Sequence, residues 1–86
     1  MTDIATPEGW TRDSDRDAIT KTYKFKTFPD AIAFMTRAAF HAEAADHHPE
    51  WSNVYNRVTV TLTTHSTGGL TDKDIDLAAK FDAAAS

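Results

Sequence analysis

The sequence predicts an α+β fold, in which a four-stranded antiparallel sheet carries helices on one face in the order β-β-α-β-β-α. In residues 19–26 and 54–64, apolar and polar residues alternate, as they do in strands with one buried face. In residues 27–46 and 71–84, apolar residues recur at spacings of three and four, which predicts amphipathic helices. The chain has 86 residues, and we expect residues 1–86 to form one small domain.

The first quarter of the chain is expected to hold a lead-in and a hairpin. Residues 1–9 are polar and follow no period, which predicts a loose N-terminal segment. We expect strands over residues 10–12 and 19–26, joined by the polar turn 13–17. The alternation in the second strand predicts a buried face formed by Ile19, Tyr23 and Phe25.

The first helix is expected to begin after Thr27, because Thr27 and Asp30 resemble a capping box. It should run to Asp46 or His47 and be ended by Pro49, since proline disfavours helical geometry at the residue before it. Its predicted apolar stripe consists of Ile32, Met35, Ala39 and Ala42. We also assign to the core the large side chains Phe34 and Phe40.

The second half is expected to contain the remaining strands and a last helix. Residues 54–64 alternate as a strand does. The residues predicted on its inner face are Val54, Asn56, Val58, Val60 and Leu62. Gly68-Gly69 predicts the following turn. Thr71 and Asp74 form a second capping box, with Leu70 and Ile75 spaced as a hydrophobic staple. This helix should end near Ala84.

Composition excludes several classes of function. The formal net charge is −4 and no segment is densely basic, which argues against a nucleic-acid partner. No apolar stretch is long enough to span a membrane, and the N-terminus lacks the pattern of a secretory signal. The absence of cysteine fits a cytoplasmic protein. Because so small a core is marginal without disulfides, we expect a homodimer or homotetramer.

Candidate chemistry is concentrated in three of the four histidines. His47 and His48 are adjacent where the first helix must end, and His65 ends a strand before the Gly-Gly turn. Glu43 lies four residues before His47, on the same helical face, where its carboxylate can orient the imidazole. Histidine is the side chain whose unperturbed pKa lies nearest to neutrality, so the cluster predicts proton transfer near a small ligand.

These residues also have other interpretations. The helix dipole alone favours a histidine at the C-terminal end of a helix, and Trp51 and Tyr55 fit ordinary core or rim packing. Metal binding remains an alternative, although adjacent histidines are an awkward pair of ligands for one zinc ion. Ser52 and Ser66 are outside any nucleophile-elbow context. General acid–base catalysis without a cofactor is therefore the favoured chemistry.

The sequence resembles the pterin-4a-carbinolamine dehydratases over residues 10–81. The family pattern has a polar residue, three further residues and His-His-Pro, then an aromatic residue, a histidine and an aspartate. In this chain the pattern is matched by Glu43, His47-His48-Pro49, Tyr55, His65 and Asp74. Similar flanking segments are found in both helices, at residues 34–37 and 70–78.

The resemblance implies dehydration of 4a-hydroxytetrahydropterin to quinonoid dihydropterin, with no metal or bound cofactor. The partners implied are the pterin substrate and an aromatic amino-acid hydroxylase whose by-product it is. The residues implied as catalytic are His47, His48 and His65. Those implied to line the pocket or orient the histidines are Glu43, Pro49, Trp51, Thr64, Ser66, Thr67 and Asp74.

The chain also departs from the family pattern. Many members carry an N-terminal helix before the Gly-Trp pair, whereas here only eight residues precede Gly9-Trp10, so we expect that helix to be missing. Ser66-Thr67 replaces an acidic residue and a cysteine found in animal members. We expect neither change to abolish activity. The main alternative is a non-catalytic binding module, acting as a dimerisation coactivator or a carboxylase assembly factor. A role in molybdopterin metabolism is a third hypothesis.

Overall fold

The predicted order of strands and helices is confirmed. The computed structural model describes residues 5–86. Their elements are β1 (Thr11–Asp13), β2 (Ala18–Lys24), α1 (Phe28–Ala44), β3 (Glu50–Val54), β4 (Arg57–Leu62) and α2 (Asp72–Ala85). The four strands form one antiparallel sheet in the order β1-β2-β4-β3. Residues 5–9 contain neither helix nor strand, and residues 1–4 of the predicted lead-in lie outside the described residues.

Both helices pack on the same face of the sheet. Tyr23 of β2 contacts Phe34 of α1, with ring centroids 4.6 Å apart, and Trp51 of β3 stacks on Phe81 of α2 at 6.1 Å. The opposite face carries threonine pairs joined across β2 and β4 by hydroxyl hydrogen bonds, Thr20 with Thr61 and Thr22 with Thr59. The predicted α+β layer arrangement is therefore confirmed. Within residues 5–86, neither helix is long and apolar enough to cross a membrane.

The strand predicted over residues 54–64 is wrong in one respect: it contains a turn. Val54 pairs with Arg57, so Tyr55 and Asn56 form a two-residue hairpin loop, in which Tyr55 has a φ of 53°. Residues 57–62 form β4 and the preceding strand β3 begins at Glu50. The two-residue turn reverses the alternation, because the paired residues Val54 and Arg57 share a face of the sheet. The prediction of Val54 on the inner face is therefore wrong: its side chain is 75% exposed, whereas Val58, Val60 and Leu62 are buried. The period-two pattern did not reveal the turn because an apolar residue happens to occupy position 54 on the outer face.

The buried face of α1 differs from the predicted stripe. The fully or almost fully buried residues are Ala31, Phe34, Ala38 and Ala42. Of the predicted stripe only Ala42 is buried and Met35 is partly buried, whereas Ile32 and Ala39 are exposed. Phe34 is in the core as expected, but the prediction for Phe40 is wrong, since its side chain is 74% exposed. Apolar residues occur around most of this helix, so the period alone did not identify the inward face.

Helix α1 ends earlier than predicted and by a different device. Ala44 is its last residue, and Asp46 adopts a left-handed conformation with a φ of 50°. The Asp46 and His47 amides donate to the carbonyls of Glu43 and Ala42, at 3.1 and 3.0 Å, which is a Schellman motif. Pro49 therefore does not stop the helix. The reversal at Asp46 is the feature that sends His47 and His48 in different directions.

Helix α2 begins with the predicted capping box. The Thr71 side chain accepts from the backbone of the first turn, and the Asp74 carboxylate accepts the Thr71 amide at 2.9 Å. Leu70 is buried and Ile75 packs against the core, as a staple requires. At the start of α1, the Thr27 hydroxyl accepts the Asp30 amide at 3.2 Å. That bond is the Thr27 half of the predicted box.

A carboxylate on α2 ties that helix to the first two strands. Asp82 accepts hydrogen bonds from the Trp10 indole at 3.3 Å, the Lys21 ammonium at 2.8 Å and the Tyr23 hydroxyl at 2.5 Å. Burial pushes the pKa of Asp82 upward, but the three donors together hold that pKa below its usual range. Burial and Asp82 raise the pKa of the Tyr23 hydroxyl. The network fixes the C-terminal half of α2 on the sheet.

We expect the Asp82→Asn variant to lose about 1 kcal/mol of unfolding free energy at pH 7, because charge-assisted hydrogen bonds are weakened. The folded-state pKa of Asp82 lies below the unfolded value of about 3.9, so its charge stabilises the fold above that pH. The stabilisation is lost as the pH falls through the folded-state pKa. Urea unfolding at pH 7 and pH 3 should show a difference between wild type and variant that shrinks in acid. A difference independent of pH would contradict this role.

Candidate active site

The three predicted histidines lie at one end of the sheet, where two chain segments meet. His47 and His48 follow the C-terminal reversal of α1 and lead into β3. His65 lies in the segment between β4 and α2, residues 63–71, which we call the site loop. Thr64 and Gly69 pair across this loop as a short hairpin, and His65, Ser66 and Thr67 form its tip.

The centre of the site is a buried pair between His47 and Asp74. His47 Nε2 lies 2.5 Å from Asp74 Oδ1, the His47 side chain is 10% exposed and Asp74 is fully buried. The other carboxylate oxygen, Oδ2, accepts the Thr64 hydroxyl at 2.8 Å and the Thr71 amide at 2.9 Å. Asp74 therefore caps α2 and holds the imidazole of His47 at the same time. The capping role and the positioning role were alternatives in the sequence, and the structure shows both.

The hydroxyl of Thr64 couples the site loop to this pair. Thr64 Oγ1 donates to Asp74 and lies 2.8 Å from the hydroxyl oxygen of Thr71. Because a hydroxyl has one proton, Thr71 is the donor in the second bond. The Thr71 oxygen in turn accepts the Lys73 amide at 3.3 Å. His47, the site loop and the start of α2 thus share one hydrogen-bonded network.

His48 is held by a second carboxylate, on the surface. Its Nε2 lies 3.0 Å from Oε1 of Glu43, and the two side chains are 61% and 82% exposed. The sequence predicted that Glu43 would orient His47. The structure corrects this, because the left-handed residue Asp46 turns His47 towards Asp74 and leaves His48 beside Glu43. An exposed pair of this kind contributes little to stability but restricts the orientation of the ring.

His65 has a third carboxylate, which the sequence did not predict. Its Nε2 is 3.4 Å from Oε2 of Glu50, the first residue of β3, and Arg16 donates to the same oxygen at 2.7 Å. The hydrogen bond from Arg16 is the main cause that holds the pKa of Glu50 below its usual range, and the charge of His65 acts in the same direction. Glu50 follows the His-His-Pro motif directly, so its position in the sequence could have indicated a carboxylate near the site. Arg16 is 34 residues from Glu50, and no spacing rule connects them.

A cavity of about 290 Å³ opens beside this network. Its lining residues are Thr64, Ser66, Thr67, Thr71, Asp72 and Lys73. The first three were predicted to line the pocket, whereas Thr71, Asp72 and Lys73 were not. The volume is at the lower end of small-ligand sites. No histidine is part of the lining. Thr64 and Thr71 line the cavity and also donate hydrogen bonds to Asp74, so they lie between the cavity and the His47–Asp74 pair.

The two aromatic candidates lie elsewhere. Trp51 is half-buried and stacks on Phe81 with an interplanar angle of 23°, so its ring belongs to the core packing beneath the site. Tyr55 is 64% exposed at the hairpin turn that ends β3, and the His-His-Pro segment precedes the other end of that strand. Pro49 is half-buried and connects His48 to Glu50. Among residues 5–86, no three His, Cys, Asp or Glu side chains are grouped suitably for a metal ion.

The model of the family described as pterin 4 alpha carbinolamine dehydratase matches residues 2–84 of this chain. The chain belongs to this family. The family predicted from the sequence is thereby confirmed. Among relatives of this dehydratase family member, a Rhizobium meliloti (strain 1021) protein is 58% identical over 78 residues, which are 91% of this chain and 75% of the relative. A Brucella ovis protein is 54% identical over 78 residues and is covered to 80%. Both are provisionally named pterin-4-alpha-carbinolamine dehydratase.

Two solved structures share the fold of this family member. The crystal structure of a transcriptional coactivator/pterin dehydratase from Brucella melitensis superposes with a TM-score of 0.89 at 53% identity, covering 92% of this chain and 84% of that one. A pterin dehydratase-like protein identified as a RuBisCO assembly factor in the alpha-carboxysome superposes with a TM-score of 0.79 at 22% identity, covering 91% and 90%. The second likeness shows the fold alone.

Proposed function

We propose that this protein is a hydro-lyase that converts 4a-hydroxytetrahydropterin to quinonoid dihydropterin by histidine acid–base catalysis. It needs no metal or bound cofactor, and it acts in the cytoplasm in support of an aromatic amino-acid hydroxylase. The observation that carries the proposal is that each of the three histidines has its own carboxylate: His47 has Asp74, His48 has Glu43 and His65 has Glu50. Family membership supports the same reaction class.

The reaction is an elimination of water that needs one proton donor and one proton acceptor. The acid gives a proton to the hydroxyl group on C4a as the C–O bond breaks, and the base takes the proton from N5 as the C4a–N5 double bond forms. Within residues 5–86, each ring uses Nε2 for its carboxylate, so Nδ1 is the nitrogen that can face a substrate. A carboxylate on one nitrogen also stabilises the imidazolium that forms when the other nitrogen accepts a proton.

The cavity beside the histidines suits the polar edge of a pterin ring. Thr64, Ser66 and Thr67 line it. The Thr64 proton is donated to Asp74, whereas a hydroxyl such as that of Ser66 can both donate and accept hydrogen bonds. The pterin ring offers amide, amine and carbonyl groups along one edge, which need such partners when they leave water. In this arrangement the ring lies on the site loop, and its reacting C4a–N5 bond points towards the histidines.

The direct experiment is a stopped-flow assay in which 4a-hydroxytetrahydropterin is generated and its dehydration is followed by absorbance. We expect wild type to accelerate the reaction over the spontaneous rate, in proportion to enzyme concentration and without change after dialysis against a chelator. The matched protein control is the His41→Ala variant, because His41 is a histidine of α1 outside the three pairs, and it should retain full activity. The proposal fails if wild type does not exceed the spontaneous rate.

We further propose that the protein forms a homodimer or homotetramer through its exposed apolar side chains. Phe40 lines a groove of about 410 Å³ on α1, together with Thr36, Ala39 and Glu43. Val54, at the end of the edge strand β3, is 75% exposed. Large exposed apolar groups are typical of protein contact surfaces, and an edge strand is open to pairing with another strand.

Replacement of the exposed phenylalanine tests this assembly. We expect Phe40→Ser to weaken association by about tenfold or more, because an aromatic side chain of this kind is a frequent anchor of an interface. Sedimentation velocity over a concentration series gives the stoichiometry of wild type and variant. The matched control is Thr36→Ser, which alters the same groove without removing an aromatic ring. A monomeric wild type at all concentrations would contradict the proposal.

The alternative function is a binding or assembly module. The exposed Phe40 and the groove that it lines on α1 favour this alternative. It is distinguished by the dehydration assay: a module without catalytic activity would leave the spontaneous rate unchanged while Phe40→Ser removed binding of a partner protein. The three His–carboxylate pairs favour the enzyme, since a contact surface on α1 does not require them.

A further inference from the structure

The β1–β2 turn reaches the site loop from a part of the sequence that the catalytic motif does not include. Asp17 is the last residue of this turn and has a left-handed φ of 50°. Its carboxylate oxygen Oδ2 accepts the amide of Leu70 at 3.1 Å. Its backbone carbonyl accepts the hydroxyl of Thr63, also at 3.1 Å. One residue therefore holds both stems of the hairpin whose tip carries His65.

The fit between Asp17 and the site loop is close. A methyl group added to Gly69 would overlap Oδ2 of Asp17 and lie 3.1 Å from its Cγ. Gly69 does not have the left-handed conformation that favours glycine, unlike Gly68 with a φ of 75°. The absence of a side chain at position 69 is thus explained by space for the Asp17 carboxylate. The same oxygen, Oδ2, thus packs on Gly69 and accepts the amide of the next residue, Leu70.

The carboxylate of Asp17 is itself fixed from the sheet. Arg12 on β1 donates from Nη2 to Oδ1 of Asp17, which leaves Oδ2 for Leu70. The hydrogen bond from Arg12, followed by that from the Leu70 amide, holds the pKa of Asp17 below its usual range. The group is therefore a carboxylate at neutral pH, and a charged acceptor makes a stronger hydrogen bond than a neutral one.

We propose that Asp17 is a positioning residue of the active site, which clamps the two stems of the site loop so that His65, Ser66 and Thr67 face the substrate. Asp17 does not touch the reacting atoms, and it acts through the loop. The inference rests on the proposed dehydratase function. It adds a third chain segment, the β1–β2 turn, to the two segments that carry the histidines.

The effect on catalysis is tested with a series at one position. Glycine accepts the left-handed backbone of residue 17 without strain, so Asp17→Gly removes the carboxylate alone. We expect its kcat/KM to fall about tenfold, the usual consequence of losing one hydrogen bond to a charged group. Asparagine tolerates the same backbone and keeps an acceptor, so Asp17→Asn should recover most of the activity. The matched control is Asp15→Gly, which removes a carboxylate from the same turn and should leave kcat/KM unchanged.

A double-variant cycle tests whether Asp17 and Gly69 form one clamp. Gly69→Ala should lower kcat/KM about tenfold in the wild-type background, because the added methyl displaces the carboxylate. In the Asp17→Gly background the space is free, and the same substitution should have almost no further effect. If the two substitutions lower kcat/KM by independent factors that multiply in the double variant, the shared clamp is overturned. Equal losses in Asp17→Gly and Asp15→Gly, or no recovery in Asp17→Asn, would overturn the positioning role.

Hydrogen exchange separates the clamp from the reaction. The Leu70 amide should exchange at least about tenfold faster in Asp17→Gly than in wild type, while amides of the β2–β4 ladder keep their protection. This measurement uses the free protein and needs no activity. If wild type does not catalyse dehydration but Leu70 shows this change, the proposed function fails and the clamp stands. If wild type is active and the protection of Leu70 is unchanged, the clamp is overturned and the function stands.

Discussion

The His48→Ala variant is expected to lose at least about a hundredfold in kcat/KM for 4a-hydroxytetrahydropterin, because loss of a general acid or base usually has an effect of this size. Its free energy of unfolding should change by less than about 0.5 kcal/mol, since the side chain is exposed and its pair with Glu43 is on the surface. The two measurements are steady-state kinetics and urea unfolding of the same preparation.

The control for this prediction is again His41→Ala, which removes an imidazole of α1 that is outside the three His–carboxylate pairs. His65→Ala should behave like His48→Ala, because its ring is also exposed and has one carboxylate partner. Wild-type activity in both variants would contradict the site assignment while leaving the reaction itself intact. A loss of activity that accompanied unfolding would contradict the surface role given to these rings.

Replacing Asp74 by alanine is expected to reduce the free energy of unfolding by about 3–5 kcal/mol, the range observed when one partner of a buried pair is removed. The carboxylate is fully buried and accepts from His47, Thr64 and the Thr71 amide, so the change affects three donors and the α2 cap together. The total free energy of unfolding of a native protein is only about 5–15 kcal/mol. The variant should therefore be partly unfolded at modest urea concentrations.

Two variants make the Asp74 prediction specific. Asp72→Ala removes an exposed carboxylate from the first turn of the same helix and should lower stability by less than about 1 kcal/mol, mainly through the helix dipole. Asp74→Asn keeps the size of the side chain and one acceptor, and should lie between alanine and wild type. Similar stabilities for Asp72→Ala and Asp74→Ala would show that the buried network contributes no more than an ordinary helix-terminal charge.

The sequence predicted the fold well where one feature decides the local structure. The α2 capping box and its staple are short-range patterns, and both are present. Patterns that fit two different local structures predicted the fold less well. The apolar residues at even positions from 54 to 62 resemble one continuous strand, although the turn places Val54 on the outer face. The apolar residues of α1 occur on several faces, and only the packing against the sheet decides which face is buried. The left-handed conformation of Asp46 has no strong signal, because glycine is the usual residue there.

The candidate site was predictable in its motif and unpredictable in its partners. The sequence pattern predicted His47, His48 and His65 as site residues and Asp74 as the cap of α2. The pairing of each ring depends on tertiary geometry: the reversal at Asp46 directs His47, rather than His48, to Asp74. Contacts such as Arg16 with Glu50 join residues far apart in the chain, and they follow from the register of the sheet, which no local pattern gives.

The claim at the centre of this account is that the three His–carboxylate pairs surround one pterin site. It is tested most directly by ¹⁵N NMR of the imidazole rings during titration with a stable dihydropterin. We predict saturable shifts at His47, His48 and His65 with one common dissociation constant, and no shift at His41. Ring signals of His47, His48 and His65 that stay unshifted at saturating dihydropterin would contradict the claim.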